Sequence, residues 1–153
     1  MQNLIITDAA AQDAGELLTL QRAAYLTEGE LHSSFRLPPL RETVTEIEVA
    51  ISSILVLKAV LGTRIVGSGR GRLDGDTCHI GRLSVAPDLQ GQGIGSRLVA
   101  ELERRFAGRA ARFVLFTGPR SEQNIRLYRR LGYVDIPTPP GSEPLVFLEK
   151  RTA

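Results

Sequence analysis

Between Arg82 and Ser96 the chain reads Arg-Leu-Ser-Val-Ala-Pro-Asp-Leu-Gln-Gly-Gln-Gly-Ile-Gly-Ser: a strand, a proline, then three alternate glycines leading into a helix. No other stretch constrains the fold as strongly. Pro87 cannot donate to a sheet ladder, so the strand ends there. Gly91, Gly93 and Gly95 let the backbone take positive φ and approach a ligand closely. The N–H groups of such a turn and of the helix's first residues converge on an anion, assisted by the helix dipole. A pyrophosphate is the natural guest.

The flanking sequence supplies the elements around this junction. Leu4–Thr7 reads as a short strand, and Asp13–Thr27 as an amphipathic helix with Leu17, Leu20, Ala24 and Tyr25 near helical spacing. Glu28–Leu40, with Gly29, Pro38 and Pro39, reads as a loop over one end of the domain. Val44, Ile47 and Ile51 place a second helix over Arg41–Ser52. Ile54–Leu61 and Arg64–Leu73 read as strands, and Asp74-Gly75 as a two-residue hairpin turn that returns Thr77–Val85 antiparallel. A helix spans Gly93–Ala107, with Ile94, Leu98, Leu102 and Phe106 at every fourth position. Arg112–Thr117 is an apolar strand, and Ser121–Leu131 is a helix with Ser121 as N-cap. Tyr133–Ile136 and Leu145–Glu149 complete a mixed sheet flanked by helices.

Composition bounds the class. A chain of 153 residues with 42% hydrophobic content fits one α/β or α+β domain and excludes disorder. Its longest apolar stretch breaks at Lys58, so a membrane span is not expected. Cys78 is the only cysteine, which points to a reducing, cytoplasmic setting. The first eight residues lack the basic and apolar regions of an export signal. All 19 basic residues except Lys58 and Lys150 are arginine, yet the net charge is only +2. That is a slight bias towards anionic ligands without the basic, aromatic-interleaved run of a nucleic-acid binder.

Three phosphate-binding patterns compete for the glycine turn. A P-loop requires Gly-Lys-Ser/Thr, and neither lysine is near. A dinucleotide fingerprint requires a glycine where Ser96 stands and an acidic residue where Leu115 and Phe116 stand. Gln/Arg-x-x-Gly-x-Gly/Ala remains, satisfied by Gln90-Gly91-Gln92-Gly93-Ile94-Gly95. A second motif, Asn124-Ile-Arg-Leu-Tyr128-Arg-Arg-Leu-Gly132-Tyr133, follows. With Leu83-Ser84-Val85 ahead of the turn, the chain resembles the GNAT superfamily of acyl-CoA-dependent N-acetyltransferases. The two motifs span Leu83–Tyr133, and the element order extends the resemblance over nearly the whole chain.

The resemblance implies an α/β (α+β) fold in one domain over residues 1–153. Its mixed, mostly antiparallel sheet would have about six to seven strands flanked by about four helices. It implies acetyl-CoA as acyl donor, no metal, and a small-molecule or peptide amine as acceptor. A homodimer is an arrangement common among relatives. The Leu83-Ser84-Val85 strand would meet the pantetheine amides through Leu83 and Val85, with Val85 N–H near the thioester carbonyl. Gln90, Gly91, Gln92, Gly93, Ile94, Gly95 and Ser96 would cradle the pyrophosphate. Asn124 would face the pantetheine arm, and Tyr128, one helical turn on, would reach the sulfur.

Chemistry adds its own demands. An alkyl amine with a pKa near 10.4 is protonated at pH 7 and needs a base. A phenol with a pKa of about 10 can protonate a departing thiolate, which suits Tyr128. Many relatives carry a glutamate base four residues before the position of Leu83, and His79 stands there instead. An Asp74-Gly75 turn pairs Arg70 with His79, and a neighbouring cation keeps an imidazole neutral.

The same register puts Gly67, Gly69 and Gly71 on the opposite face, where close helix packing is the expectation. Arg70 and Arg72 are either solvated or hold an acceptor's carboxylate. His32, Phe35 and Arg36 lie where relatives shape the acceptor pocket, and Cys78 reads as a packed thiol. Two rival functions stay open: a non-catalytic acyl-CoA sensor of the same fold, and a regulatory protein that binds ATP or NAD through the turn.

Overall fold

The computed structural model describes residues 3–34 and 36–152. Seven strands form one sheet in the order β1-β2-β3-β4-β5-β7-β6. They are β1 (Leu4–Asp8), β2 (Leu55–Leu61), β3 (Arg64–Asp74), β4 (Thr77–Val85), β5 (Arg112–Thr117), β6 (Val134–Ile136) and β7 (Val146–Arg151). All neighbours pair antiparallel except β4 and β5. Five helices accompany them: α1 (Ala14–Leu31), α2 (Pro38–Arg41), α3 (Val44–Ser53), α4 (Ile94–Arg105) and α5 (Glu122–Arg130).

Side-chain alternation on β3 sorts the helices onto two faces. A Cβ at Gly67, Gly69 or Gly71 would point at α4 and the residues beside it: 2.9 Å from Ile94, 3.3 Å from Leu102 and 2.5 Å from Phe106, respectively. The three glycines therefore let α4 lie close on the sheet, and Leu98 and Leu102 are fully buried there. The alternate residues Ser68, Arg70 and Arg72 face the other way, and Arg70 meets Glu42 just beyond α2. On that side the α1 carboxylate Glu16 accepts from Ile65 N–H at 2.7 Å.

Three expectations are corrected. First, α1 runs on to Leu31, and Pro38–Arg41 is a helical turn, so the expected loop over Glu28–Leu40 shrinks to 32–37. Gly29 costs the helix about 1 kcal/mol relative to alanine. Contacts made by Glu28 and His32 offset it, as shown below. Second, the hairpin loop is Gly75-Asp76, because Asp74 still pairs with Thr77. Gly75 takes the positive φ (+62°) that the first loop position requires. Arg72, not Arg70, therefore opposes His79, while Arg70 opposes Gly81. A slip of two residues preserves the face of every side chain, so an arginine still stands beside the histidine. Third, Ser121 occupies the N-cap position of α5, but its side chain caps nothing. Its hydroxyl donates to Glu28 instead.

Candidate active site

β4 and β5 pair only through Thr77, Cys78 and His79, opposite Arg112, Phe113 and Val114. Beyond His79 they part, and the outer edge of β4 has no strand partner among the described residues. A bulge begins the divergence: Arg82 and Leu83 together face Gly69, with Arg82 at φ +51°. Ala86 N–H donates inward to Val66 O at 2.9 Å. Alternation along the strand then turns the N–H and C=O groups of Val85 and Leu83 towards the open edge. Ser84 is buried, its hydroxyl donates to Arg82 O at 3.1 Å, and its backbone pairs inward with Ser68, so the expected contact of Ser84 with the cofactor is not on the open edge.

The turn continues from that edge. Gly91 (φ +79°) and Gly93 (φ +86°) are left-handed, and no atom would lie within 4 Å of a Cβ at either. Gly93 is the N-cap residue of α4. Among the described residues no carbonyl accepts a well-aligned hydrogen bond from the backbone N–H groups of Gln90–Ser96. Gln90 and Gln92 N–H close loose turns, and most of the remaining amides are left for an outside acceptor, which fits a diphosphate. A Cβ at Gly95 would lie 3.5 Å from Leu127 Cδ2 and 3.8 Å from Val85 Cγ2, so β4, α4 and α5 converge here.

On α5, Asn124 Nδ2 donates to Thr117 Oγ1 at 3.3 Å and ties the helix to the end of β5. Tyr128, one turn later, is 5% exposed. Although α5 stands on the α4 side, the Tyr128 phenol lies within electrostatic reach of Tyr25 and Glu28 on α1. Its ring lies 6.4 Å, centroid to centroid, from that of Tyr133. Burial first, then Tyr25 and Glu28, pushes the Tyr128 pKa well above the ordinary phenol value. Tyr25 is pushed up to about 12 by burial, with Arg82 opposing and Glu28 adding. Cys78 is fully buried and pushed up to about 11, mainly by desolvation, which makes it a packing residue rather than a nucleophile.

Gln21, Tyr25, Glu28 and His32 repeat at helical spacing and form one stripe of α1 and its C-cap. Its lower end is a clamp. Glu28 accepts from the Ser121 hydroxyl. Arg120 N–H donates to His32 Nε2 at 3.2 Å, so the neutral ring carries its proton on Nδ1, 2.9 Å from Glu28 O. The ring fills the space where Gly118 lacks a side chain. His32 thus fixes the β5–α5 loop, Arg36 is exposed, and Phe35 lies outside the described residues.

The upper end of the stripe meets an ion network. Glu42 accepts from Arg70 at 2.6 and 3.0 Å and from Gln21 at 2.9 Å, while Arg82 Nε stands 3.6 Å away. Burial pulls the Glu42 pKa upward, but the Arg70 and Gln21 hydrogen bonds outweigh it and hold the carboxyl below its usual range. Arg82 Nε is buried without a hydrogen-bond partner. Sequence reading missed this network because Glu42 and Arg70 are far apart in the chain. It also took Tyr25 only as part of an apolar face.

His79 sits at the fork, on the last paired rung. It lines a cavity of about 190 Å³ with Arg70, Arg72, Val114, Phe116 and Phe147. Desolvation first, then Arg72, holds its pKa below the ordinary imidazole value; Asp74 opposes and Arg112 adds. A neutral imidazole at pH 7 can accept a proton. A larger cavity of about 450 Å³, lined by Ser53, Gly71, Phe106 and Arg109 among others, touches neither the turn, Tyr128 nor His79.

A forked β4/β5 pair, a left-handed glycine turn opening α4, and a buried phenol on α5 define the acyl-CoA transferase class of fold. The GNAT acetyltransferase family model matches residues 16–133, and the chain belongs to that family. No curated protein sequence matches it. Solved structures do. The PaiA N-acetyltransferase of Thermoplasma acidophilum, in complex with coenzyme A, superposes at a TM-score of 0.84 with 16% identity over 99% of this chain and 100% of its own. A Klebsiella pneumoniae protein assigned as an acyl-CoA N-acyltransferase gives 0.73 and 27% identity over 97% of each chain. YncA of Salmonella typhimurium, assigned as an acetyltransferase and solved with acetyl-CoA, gives 0.76 and 18% identity over 98% and 94%. Among the described residues no helix is long and apolar enough to cross a membrane.

Proposed function

We propose that this protein transfers an acetyl group from acetyl-CoA to a primary amine by direct attack while both substrates are bound. The observation that carries this reading is the run of amides over Gln90–Ser96 without a well-aligned internal acceptor, continuous with the open β4 edge and ending against Leu127 of α5, the neighbour of Tyr128. Acetyl-CoA supplies an activated thioester whose diphosphate those amides would hold. Leu83 and Val85 would align the pantetheine arm through their outward backbone groups. Asn124, braced on Thr117, would border the arm, and Val85 N–H would take the charge that develops on the carbonyl oxygen.

His79 lies several rungs before Val85 on β4, so it would drain the amine's proton through intervening water, and desolvation and Arg72 favour the neutral imidazole that this needs. Tyr128 would stay protonated at all physiological pH values, donate a hydrogen bond to the departing sulfur, and pass it a proton as solvent returns one to the phenol. In balance, a C–N bond forms and a C–S bond breaks; the ammonium form loses two protons, one released to solvent and the other matched by the proton that reaches sulfur. A thiol-release assay with acetyl-CoA and a panel of amines tests the reading. Amine-dependent release supports it. Tight coenzyme binding with no release on any amine would make the protein an acyl-CoA sensor. Thermal stabilisation by ATP or NAD but not by coenzyme A would make it a nucleotide-binding regulator.

A further inference from the structure

The cavity at the fork has two unlike walls. One is apolar: Phe116 on β5 and Phe147 on β7 stand opposite each other with ring centroids 5.1 Å apart, and Phe116 is 50% exposed. The other is cationic. Arg70 there is neutralised by Glu42, and Arg112 nearby by Glu149 at 2.8 Å. Among the described residues Arg72 has no acidic partner, and it lines the cavity directly opposite His79.

We infer that this cavity receives an amine that also bears a carboxylate on an apolar body: an α-amino acid with an apolar or aromatic side chain. The inference rests on the transfer reading above and goes beyond it to the acceptor. Directly opposed strand residues hold their Cβ atoms about 4.5–5.5 Å apart. Both side chains thus enter the cavity from one rung, so a carboxylate gripped by Arg72 and an amine on the His79 side fit one small molecule, as in an α-amino acid. The guanidinium fork matches a carboxylate with two parallel hydrogen bonds. The side chain would lie on the Phe116–Phe147 pair, within a cavity of about 190 Å³. A bound carboxylate also offsets the Arg72 charge, so the His79 imidazole regains basicity when the amine is in place.

The test is calorimetric titration of phenylalanine, and of phenethylamine, which lacks the carboxylate, into the coenzyme A complex of wild-type and Arg72→Ala protein. Arg72 is exposed and holds no structural hydrogen bond among the described residues, so the variant folds. The expected result is phenylalanine binding on the order of tenfold more tightly in wild type. In Arg72→Ala the ratio falls towards one. Equal binding in wild type, no binding of either, or a ratio that survives the substitution overturns the inference. Thiol release from acetyl-CoA in parallel reads the transfer reaction by itself. Arg72-dependent binding without release keeps the carboxylate site and removes the transferase. Release with no carboxylate preference does the reverse.

Discussion

Arg72 on β3 and His79 on β4 face each other across the last rung before the sheet forks, on the side that opens into the cavity. The pair sets the state of the imidazole that the proposed transfer uses as its base. Desolvation and the guanidinium both favour the neutral form, Arg112 adds to them, and only Asp74 pulls the other way.

That arrangement fixes a pH dependence. A base must be unprotonated, so kcat/KM falls as pH drops through the His79 pKa, which lies below the ordinary value of about 6.5. Activity at pH 7 therefore sits above this limb. His79→Ala is expected to lower kcat by roughly 10²-fold and to abolish the acid limb. A pH–rate profile of the variant that matches wild type removes His79 from the role.

Tyr128→Phe deletes the proton donor and leaves the buried ring in place. The expected result is a kcat reduced by about 10²-fold with little change in the KM for acetyl-CoA. Because burial raises the phenol's pKa, no alkaline limb from Tyr128 should appear up to about pH 10. Steady-state kinetics of the two proteins from pH 6 to 10 check both statements.

Glu42 holds Arg70 and stands beside Arg82, with 10% and 12% side-chain exposure for the Glu42–Arg70 pair. Glu42→Ala leaves both guanidinium groups without their carboxylate and should destabilise the fold by about 3 kcal/mol in denaturant unfolding. The folded-state pKa of Glu42 is depressed, so its stabilisation is present above the unfolded value and lost as pH falls through the folded one. Arg70→Ala should instead be milder in acid, where the lone carboxyl can take up a proton.

Gly93→Ala places a side chain on a left-handed residue at the mouth of α4. Space is free there, so the cost is conformational, about 1–2 kcal/mol. Relaxation of the turn would misdirect its amides, and calorimetry should show coenzyme A binding weakened at least tenfold, well beyond the loss of stability.

The junction from Leu83 to Ser96 was legible in the sequence because proline and alternate glycines act locally, and Arg112–Thr117 kept its expected bounds. The packing of α4 on Gly67, Gly69 and Gly71 was legible for the same reason: absence of a side chain is visible in any register. What escaped was non-local. Helix α1 passes through Gly29 because Glu28 and His32 find Ser121, Arg120 and Gly118 across the fork. The hairpin register depended on which loop position Gly75 would occupy, and the Glu42 network joins three segments by charge.

A crystal structure of the protein with coenzyme A tests the central claim most directly. The account predicts diphosphate oxygens within hydrogen-bonding distance of several N–H groups between Gln90 and Ser96, with the thiol end beside Tyr128. Coenzyme bound elsewhere, or those amides turned away from the diphosphate, would contradict it.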